Sequence, residues 1–399
     1  MEYSTIERWQ RENEAGIVYT IGSLYDLFHQ MEDPRKAKGK RYNLVTLLVL
    51  IFLAKLCHQD TPVEIADWAK NHADELVELL KLKRDWMPHH NTYRRVFQDV
   101  ISETEFKELM ESYHQQGKVG EILQMDGKAL RGTSIPGEEQ NHYVLSLYDG
   151  QNQRVLTQEI VNEKENEIVA APKLLKRVNL DGKIVTADAM HTQRNISAYI
   201  VAQKGDYLWP VKENQERLYQ AIQRLFAPDH PKPGFGKVTT DFQTVTKINC
   251  GHGRLEKRSL QTSAMLNDYV DWPGIGQVYR LERQFTWMRK GEAYKTSNEV
   301  EYGITSLTCQ KASPKKILAV RREYWQIETG LHYRRDVTFH EDATRMTKGD
   351  AGAILAIIHN LVLGLLKQAG YKNAAQGRRW FSANIDMAFD LLTSAIPLS

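Results

Sequence analysis

Apolar positions in the first third of the chain recur with helical spacing. Runs such as YDLFHQM and NLVTLLVLIFLAKL alternate with polar joints, which predicts a bundle of short helices from about Ile21 to Tyr113. Asp60 or Thr61 is placed to cap a helix that Pro62 begins. Short helices with a basic second element also suit a helix-turn-helix, so the pattern alone leaves DNA binding by this segment open.

From Glu121 onward the pattern changes to short strands and then to strands mixed with helices. EILQMDGKAL, HYVLSLYDG and RVLTQEIV are apolar runs between turn residues, and the helical run AAPKLLKRV precedes the strand KIVTADAM. This order predicts an α/β layer. From about Glu216 to Val300, alternating runs such as FQTVTKIN and RLEKRSLQT flank the turn CGHG, which predicts a β-rich insertion. Helices return after the strand YGITSL, and AGAILAIIHNLVLGLL is predicted to be a core helix.

Composition narrows the class of protein. The chain has 399 residues, of which 42% are hydrophobic and 26% charged, enough for two or three globular domains. Lys and Arg total 53 against 50 for Asp and Glu, so a nucleic-acid surface must come from local clusters of charge. Cys57, Cys250 and Cys309 show no metal-binding or disulfide spacing, which favours a reducing compartment.

Targeting signals give the expected location. The first residues, MEYSTIERWQRENEAG, contain no apolar signal-peptide core, and the run LVTLLVLIFLAKLC is interrupted by Lys55 and is too short to span a bilayer. We therefore expect a cytoplasmic protein that does not associate with a membrane.

Two aspartates follow apolar strands, Asp126 in EILQMDGKALRG and Asp188 in KIVTADAMHTQ. A carboxylate within a strand is unfavourable unless it has a partner. Taken singly, each Asp is most simply a cap of the following turn. Together they lie where open α/β sheets place their sites, at the carboxyl ends of strands.

The stretch RREYWQIETGLHYRR, from Arg321 to Arg335, contains a third carboxylate, Glu328. In a helix, its face would also carry Arg321, Tyr324, Leu331, His332 and Arg335. A solvated helix with paired charges is the commoner explanation for such a stretch.

The three acids together suggest different chemistry. Carboxylate oxygens are the ligands that Mg²⁺ prefers, with Mn²⁺ as the alternative, and two such ions per site suit phosphodiester chemistry. Basic and aromatic neighbours of Glu328 would then contact the DNA backbone or stack on a base. These neighbours are Arg321, Arg322, Tyr324, His332 and Arg335.

In combination and order, the motifs resemble the DDE class of bacterial insertion-sequence transposases, in the branch that contains the H-repeat-associated proteins. The resemblance covers nearly the full length and is carried by DPRKAKGKRYNLVTLLVL, MDGKALRG, VTADAMHTQ, GDYLWPVKENQ, HGRLEKR and REYWQIETGLHYRRDVTFHEDATR. It implies an α/β fold with an RNase H-like catalytic core, a β-rich insertion and a preceding α-helical amino-terminal domain. It also implies that Asp126, Asp188 and Glu328 are the catalytic, metal-binding triad.

The predicted domain boundaries combine this resemblance with the changes of pattern. They are residues 1–118 for the helical amino-terminal domain, 119–215 for the first part of the core, 216–300 for the insertion, 301–370 for the second part with the Glu-bearing helix, and 371–399 for a helical tail.

The same resemblance extends the predicted DNA-binding set beyond the Glu328 stretch. Lys212, Asn214 and Gln215 are expected near the site, and His191 is expected to orient a phosphate or a water molecule. A solvated strand end for Lys212, an exposed loop for His191 and an exposed hairpin for the cations of HGRLEKR remain the alternatives. The further predicted contacts are Lys128, Arg131, His252, Arg254 and Arg258.

The predicted function is cleavage at the ends of the protein's own element by water, followed by attack of the freed 3′-hydroxyl on target DNA. The expected partners are double-stranded DNA, as element ends and as target, and a second copy of the chain in a homodimer or larger assembly. Two alternatives remain from sequence alone: a metal-dependent nuclease without strand transfer, and a catalytically inactive DNA-binding scaffold or repressor.

Overall fold

The amino-terminal third is helical after one short hairpin. A computed structural model of the chain describes residues 9–133, 142–161, 166–227, 240–251, 253–289 and 292–397. Its first elements are β1 (Gln10–Glu12), β2 (Val18–Thr20), α1 (Leu24–Phe28), α2 (Leu44–Leu56), α3 (Pro62–Asn71), α4 (Ala73–Leu79), α5 (His90–Arg95) and α6 (Glu103–His114). Thr61 caps α3 through a capping box with Glu64, and Pro62 is its first residue, as the sequence predicts.

Strands and helices alternate through the middle of the chain. They are β3 (Ile122–Leu130), β4 (His142–Asp149), β5 (Arg154–Val161), α7 (Glu167–Leu175), β6 (Ile184–Thr186), α8 (Arg194–Ala202), β7 (Asp206–Val211) and α9 (Glu216–Leu225). Four long strands follow: β8 (Gln243–Gly251), β9 (Arg254–Ser263), β10 (Gln277–Arg289) and β11 (Glu292–Thr305). The last elements are α10 (Pro314–Glu323), α11 (Trp325–Ile327), α12 (Tyr333–Val337), α13 (Ala351–Gln368), α14 (Ala374–Phe381) and α15 (Ile385–Thr393). The fold is therefore mixed α/β.

The chain forms two compact units that are discontinuous in sequence. The first unit contains Met1–Val119, Gly127–Lys164 and Glu328–Ser399, and the second contains Gly120–Asp126 and Glu165–Ile327. Within the first unit, α2 and α6 pack against α13, so helices from both ends of the chain share one core. The two units are defined by which segments pack together, and each combines segments that are far apart in sequence. They do not test the domain boundaries predicted from sequence, which stay predictions.

The second unit is built on a large mixed sheet with the strand order β3-β6-β7-β11-β10-β9-β8. Strands β3, β6 and β7 run parallel, whereas β7 and β11 and the strands beyond them pair antiparallel. Helix α10 packs against β9 and β8, and Leu260, Leu281, Ile317 and Leu318 are buried in the core between them. Burying each of these side chains contributes about 1.5–3 kcal/mol relative to leaving it exposed.

The segment predicted to be a β-rich insertion extends this sheet. It contains α9 and then the strands β8 to β11, in which β10 pairs with both β9 and β11. Strand β11 returns to β7 through the pairs Tyr302 with Val211 and Thr305 with Leu208. The strands therefore lie between Asp188 and Glu328 in sequence, as predicted.

The first unit is built around two apolar helices, α2 and α13. Almost every residue of both helices is buried. Helix α13 is long and apolar enough to cross a membrane, and 83% of it is buried inside the protein. A helix that is apolar on all sides and buried is typical of a protein core. The predicted core role of α13 is confirmed, and the cytoplasmic location stays a prediction.

A buried polar chain crosses this apolar core. Lys55 Nζ donates to His359 Nε2 at 3.0 Å, which leaves His359 Nδ1 to donate to Glu341 Oε2 at 2.8 Å. Glu341 also binds Arg335 Nε and Nη2 at 2.7–3.0 Å. Burial lowers the pKa of His359 to about 4 and that of Lys55 to about 8. His359 is therefore neutral and acts as a fixed link between Lys55 and Glu341.

Candidate active site

Two carboxylates lie close together on neighbouring strands of the second unit, Asp126 in the middle of β3 and Asp188 two residues after β6 ends. The prediction that Asp126 ends its strand is wrong, because β3 continues to Leu130. Strands β3 and β6 pair in parallel register, Ile122 with Ile184 and Gln124 with Thr186, and each acid lies two residues beyond the last of these pairs. Neighbouring strands are about 4.8 Å apart, and residues two apart point to the same side of a sheet. The pairing of the strands therefore brings the two predicted acids together.

Asp188 is held at the start of a short turn. Its Oδ1 accepts a hydrogen bond of 3.1 Å from the Met190 backbone amide, which begins the 3₁₀ helix Ala189–His191. Burial raises the pKa of Asp188 above its ordinary value, and the negative charges of Asp126 and Glu167 raise it further, against a lowering by His191. Asp188 thus caps a turn, as the simpler sequence interpretation proposed, and also lies close to a second acid.

Tyr324, which follows α10, contacts the other acid directly. Its hydroxyl donates to Asp126 Oδ1 at 3.3 Å. Burial raises the pKa of Tyr324 well above its ordinary value, and the charges of Asp126 and Asp188 raise it further, so the hydroxyl keeps its proton. The ring is 6% exposed and lies 4.9 Å from the Arg321 guanidinium. Stacking on a DNA base, predicted for Tyr324, stays a prediction that would require this ring to be uncovered.

Sequence reasoning missed a fourth carboxylate near the pair. Glu167, the first residue of α7, lies with its Oε2 3.2 Å from His191 Nε2, and the same nitrogen is 3.9 Å from Asp188 Oδ1. His191 is fully buried, so it is not the exposed loop residue that the alternative interpretation described. The signal in the sequence was NEIVAAP, where Asn166 caps a helix and Glu167 lies in its first turn. Contact of His191 with a phosphate or water stays a prediction.

Two residues predicted to contact DNA hold the loop that follows Asp188. The Asn214 side-chain amide donates to the Ala189 carbonyl at 2.7 Å, and the Gln215 amide donates to the Thr192 carbonyl at 2.9 Å. These bonds fix the backbone on which Asp188 is mounted. Lys212 precedes them and is exposed. DNA contact by the three residues stays a prediction.

Glu328 lies in the first unit, at the start of a π-helical turn, Glu328–His332, between α11 and α12. In an α-helix, the case considered from the sequence, residues three, four and seven positions apart would share a face. A π turn adds a residue to the helical repeat, so positions three, four and seven apart no longer align. Glu328 is exposed, whereas Leu331 and Arg335 are buried.

Arginines near Glu328 in sequence already have acidic partners. Arg335 is buried against Glu341, and in the second unit Arg321 Nε and Nη2 bind Glu301 at 2.6 and 3.0 Å. Burial alone would raise the pKa of Glu301, but Arg321 lowers it below its ordinary value. DNA contact by Arg321 or Arg335 stays a prediction.

The remaining predicted DNA contacts differ in exposure. In the first unit, Lys128 is buried with its Nζ 2.5 Å from Asp336 Oδ1, and Arg131 is exposed. In the second unit, Arg258 binds Glu256 Oε2 at 2.5 Å. Arg254 and Arg322 are exposed, His332 of the first unit is half-buried, and His252 lies outside the described residues.

Within the part of the chain that the structure describes, no group of three or more His, Cys, Asp or Glu side chains is arranged to hold a metal ion. The pair Asp126 and Asp188 nevertheless fits a divalent cation chemically. Both supply hard oxygen donors, and the charge of Asp126 adds to the effect of burial in raising the pKa of Asp188, as expected for two negative charges close together. A cation is the group that would relieve that repulsion.

Two acids close together in a mixed α/β protein, Asp126 within β3 and Asp188 just after the parallel strand β6, supply hard oxygen donors of the kind used by enzymes that act on phosphate esters with metal ions. Comparison with known proteins makes this specific. Residues 118–365 match the family described as Transposase DDE domain, and residues 25–114 match the family described as DDE_Tnp_1-associated. The chain belongs to the DDE transposase family, as its motifs predicted. It is thus an enzyme of the transposase or nuclease kind, from a family that generally uses divalent metals.

Relatives match along most of their length. YncI of Escherichia coli O157:H7, named as a transposase, is 30% identical over 359 residues, which are 87% of this chain and 88% of YncI. YhhI of E. coli K12, named as an H repeat-associated transposase, is 26% identical over 89% of this chain and 93% of its own. YbfL of the same strain is 27% identical with the same coverage.

A solved structure of a piggyBac transposase synaptic complex with hairpin DNA is also similar. It matches 92% of this chain and 77% of its own, with 11% identity and a TM-score of 0.46.

Proposed function

We propose that this protein is a DDE transposase that cuts DNA at the ends of its own element and joins the freed 3′-hydroxyl to target DNA. The observation that carries the proposal is the parallel pairing of β3 and β6, after which Asp126 and Asp188 lie close enough for their charges to interact. Membership of the DDE transposase family supports the same chemistry. The parallel pairing of β3 with β6 and of β6 with β7 supports an RNase H-like core.

Asp126, Asp188 and Glu328 are the proposed ligands of Mg²⁺, with Mn²⁺ as the alternative and two ions in the site. Glu328 follows α11 directly and comes four residues after Tyr324, whose hydroxyl contacts Asp126. When bound, the ions would activate the attacking oxygen and stabilise the leaving oxygen of a phosphodiester.

The reaction has two phosphoryl transfers. In the first, water attacks the phosphorus at the element end, the bond to the 3′-oxygen breaks, and the departing oxygen takes up a proton. In the second, that 3′-hydroxyl attacks a target phosphodiester, gives up its proton, and displaces the target's own 3′-oxygen. Neither step needs a covalent intermediate with the enzyme, because positioning and charge neutralisation supply the catalysis.

The protein's own residues prepare the site for these steps. Tyr324 orients Asp126 by a hydrogen bond, and Asn214 and Gln215 hold the backbone around Asp188. Exposed cations, among them Lys212 and Arg322, would neutralise the DNA backbone.

A nicking assay on the element's terminal DNA tests the proposal, with a binding titration beside it. Glu328→Gln and Asp188→Asn should each lower magnesium-dependent nicking by orders of magnitude while DNA binding persists. Asp268→Asn is the matched control, because Asp268 is an exposed acid of the second unit. Normal nicking by Glu328→Gln would remove it from the triad.

The same assay separates the alternatives. Nicking without joining to target DNA would favour a nuclease, and binding without nicking by the wild type would favour a scaffold or repressor. Inverted repeats flanking the gene would favour an active element.

A further inference from the structure

Four arginines line one cavity of the second unit. It has a volume of about 220 Å³ and is lined by Arg258, Leu281, Arg283, Arg321, Arg322 and Trp325. We call it the arginine pocket. No carboxylate belongs to this lining.

Strand pairing and one helix place these cations together. Arg258 on β9 lies directly opposite Arg283 on β10, and Leu281 is two residues from Arg283 on the same face. Helix α10 packs over β9 and adds Arg321 and Arg322. Like charges directly opposite each other on paired strands are destabilising. The arrangement therefore has an electrostatic cost that an anion would offset.

The protein's own acids do not use all the donors of these side chains. Glu256 binds Arg258 at Nη2, and Glu301 binds Arg321 at Nε and Nη2. Arg283 forms longer ion pairs, with its Nε 3.7 Å from Glu299 Oε2 and its Nη2 3.6 Å from Glu301 Oε2. Arg258 Nη1, Arg283 Nε and Arg321 Nη1 are buried, and they have no hydrogen-bond partner among the described residues. A guanidinium carries five N–H donors in a fixed plane, so donors remain for a ligand.

Burial makes the unused donors of these arginines costly. Arg321 is only 7% exposed, and its Nη1 is shielded from water without a hydrogen-bond partner among the described residues. Burial lowers the pKa of Arg258 below its ordinary value, and the charges of Arg322 and Arg283 lower it further, in part offset by Glu256. The negative charge of an oxyanion in the pocket would oppose this lowering.

We propose that the arginine pocket binds a phosphate group of the DNA substrate. The guanidinium plane matches two oxygens of a phosphate, which makes arginine the residue that best recognises this group. Leu281 and the partly exposed Trp325 supply an apolar wall that suits the sugar. The proposal rests on the proposed function for its choice of DNA, and it assigns Arg283, Leu281 and Trp325 to substrate binding for the first time.

Binding of a short fluorescent duplex of arbitrary sequence tests the pocket. Arg322→Gln removes an exposed arginine without an ion pair to any residue that the structure describes, so folding should be unaffected. Loss of one phosphate contact should weaken binding about five- to tenfold at about 0.1 M salt and reduce the slope of log K against log salt by about one. Arg280→Gln is the matched control, since Arg280 lies on the opposite face of β10 and pairs with Glu282. An effect of Arg322→Gln no larger than that of Arg280→Gln would overturn the proposal.

A second substitution addresses geometry. Arg258→Lys keeps the charge beside Glu256 but loses the planar fork. Weaker binding by this variant, with an unchanged melting temperature, supports recognition of phosphate by the guanidinium plane. Binding equal to that of the wild type counts against it.

Two duplexes distinguish the source of the phosphate. If Arg322→Gln weakens binding equally for duplexes with a 5′-hydroxyl and a 5′-phosphate, the pocket binds a backbone phosphate; if it weakens only the latter, the pocket binds a terminal phosphate. Inorganic pyrophosphate should compete with the wild type and less well with Arg322→Gln.

The pocket and the proposed function can fail separately. Asp188→Asn should lose nicking and still show the Arg322-dependent binding. Nicking with no Arg322 effect would remove only the pocket, whereas the Arg322 effect without nicking by the wild type would remove only the transposase chemistry.

Discussion

A single hydroxyl, that of Tyr324, connects a buried aromatic side chain to the acid pair of the second unit. It donates to Asp126, and burial, together with the charges of Asp126 and Asp188, raises the pKa of Tyr324 so that the hydroxyl stays protonated. A hydrogen bond to a charged group contributes about 1.5–3 kcal/mol, and less where water can replace the donor. Removal of the Tyr324 hydroxyl should therefore change the orientation of Asp126 more than it changes the stability of the folded protein.

Tyr324→Phe should lower nicking by about tenfold, which corresponds to about 1.4 kcal/mol, and should raise the magnesium concentration needed for half-maximal rate. The reason is that Asp126 loses the donor that fixes its position. Tyr269→Phe, at an exposed tyrosine, is the control. An unchanged magnesium dependence in Tyr324→Phe would contradict the positioning role.

His359 predicts a dependence of stability on pH. Its pKa is about 4 in the folded protein, against an ordinary value of 6.5. The unfolded chain therefore binds more protons between these values, and stability falls as pH falls from about 6.5 to about 4. From pH 7 to pH 5 this one residue should remove about 2 kcal/mol from the free energy of unfolding.

Urea unfolding of the wild type, His359→Gln and the exposed-histidine control His72→Gln measures that loss. For each protein, the free energy of unfolding at pH 5 is subtracted from that at pH 7. Any destabilisation by the substitution that does not depend on pH cancels in this difference. The loss between pH 7 and pH 5 should be smaller in His359→Gln by about 2 kcal/mol. An identical loss in His359→Gln and wild type would show that His359 does not carry it.

Among the elements, the π turn Glu328–His332 is the one whose geometry the sequence pattern did not indicate. It begins at the third predicted acid, Glu328. Turns of this kind are rare in proteins as a whole, but those that occur are often at functional sites. Gly330 lies within it, and a Cβ added there would meet the Tyr148 hydroxyl at 2.7 Å. A residue with a side chain therefore cannot occupy this position without a shift.

Gly330→Ala should destabilise the protein by about 1–3 kcal/mol, although alanine is ordinarily favoured over glycine in a helix by about 1 kcal/mol. Nicking should fall more than DNA binding, because the displaced turn begins at Glu328. Combining Gly330→Ala with Tyr148→Phe should restore part of the loss, since the clashing oxygen is gone. Strictly additive effects of the two substitutions on stability would contradict this account.

At the scale of the whole molecule, joining two element ends requires two catalytic centres in one complex. We expect two copies of this chain, or more, on paired ends. Sedimentation of the protein with terminal DNA should give a complex with at least two protein chains and two ends. Full strand transfer by complexes of one chain and one unpaired end would refute the assembly.

The sequence by itself determined what depends on local order. Motif content and order identified the family, capping residues located α3, and alternation located the strands between Asp188 and Glu328. The acids were found because Asp126 and Asp188 each follow an apolar run, which is visible in a few neighbouring residues, although β3 continues past Asp126 to Leu130. These features are encoded within short windows, where backbone preference and hydrophobic period act directly.

Only the tertiary structure decided which distant residues are neighbours. Glu167 lies near the acid pair because α7 packs against the 3₁₀ helix Ala189–His191, and Asn214 and Gln215 hold the Asp188 loop. In the sequence pattern, Arg321 and Arg335 were expected on one cationic helix face. In the structure their guanidinium groups are buried against Glu301 and Glu341. The π turn at Glu328 was likewise not indicated by the sequence, because a 3.6-residue period predicts only an α-helix. The physical reason is that ion pairing and burial depend on contacts between segments far apart in the chain, and no local pattern specifies those contacts.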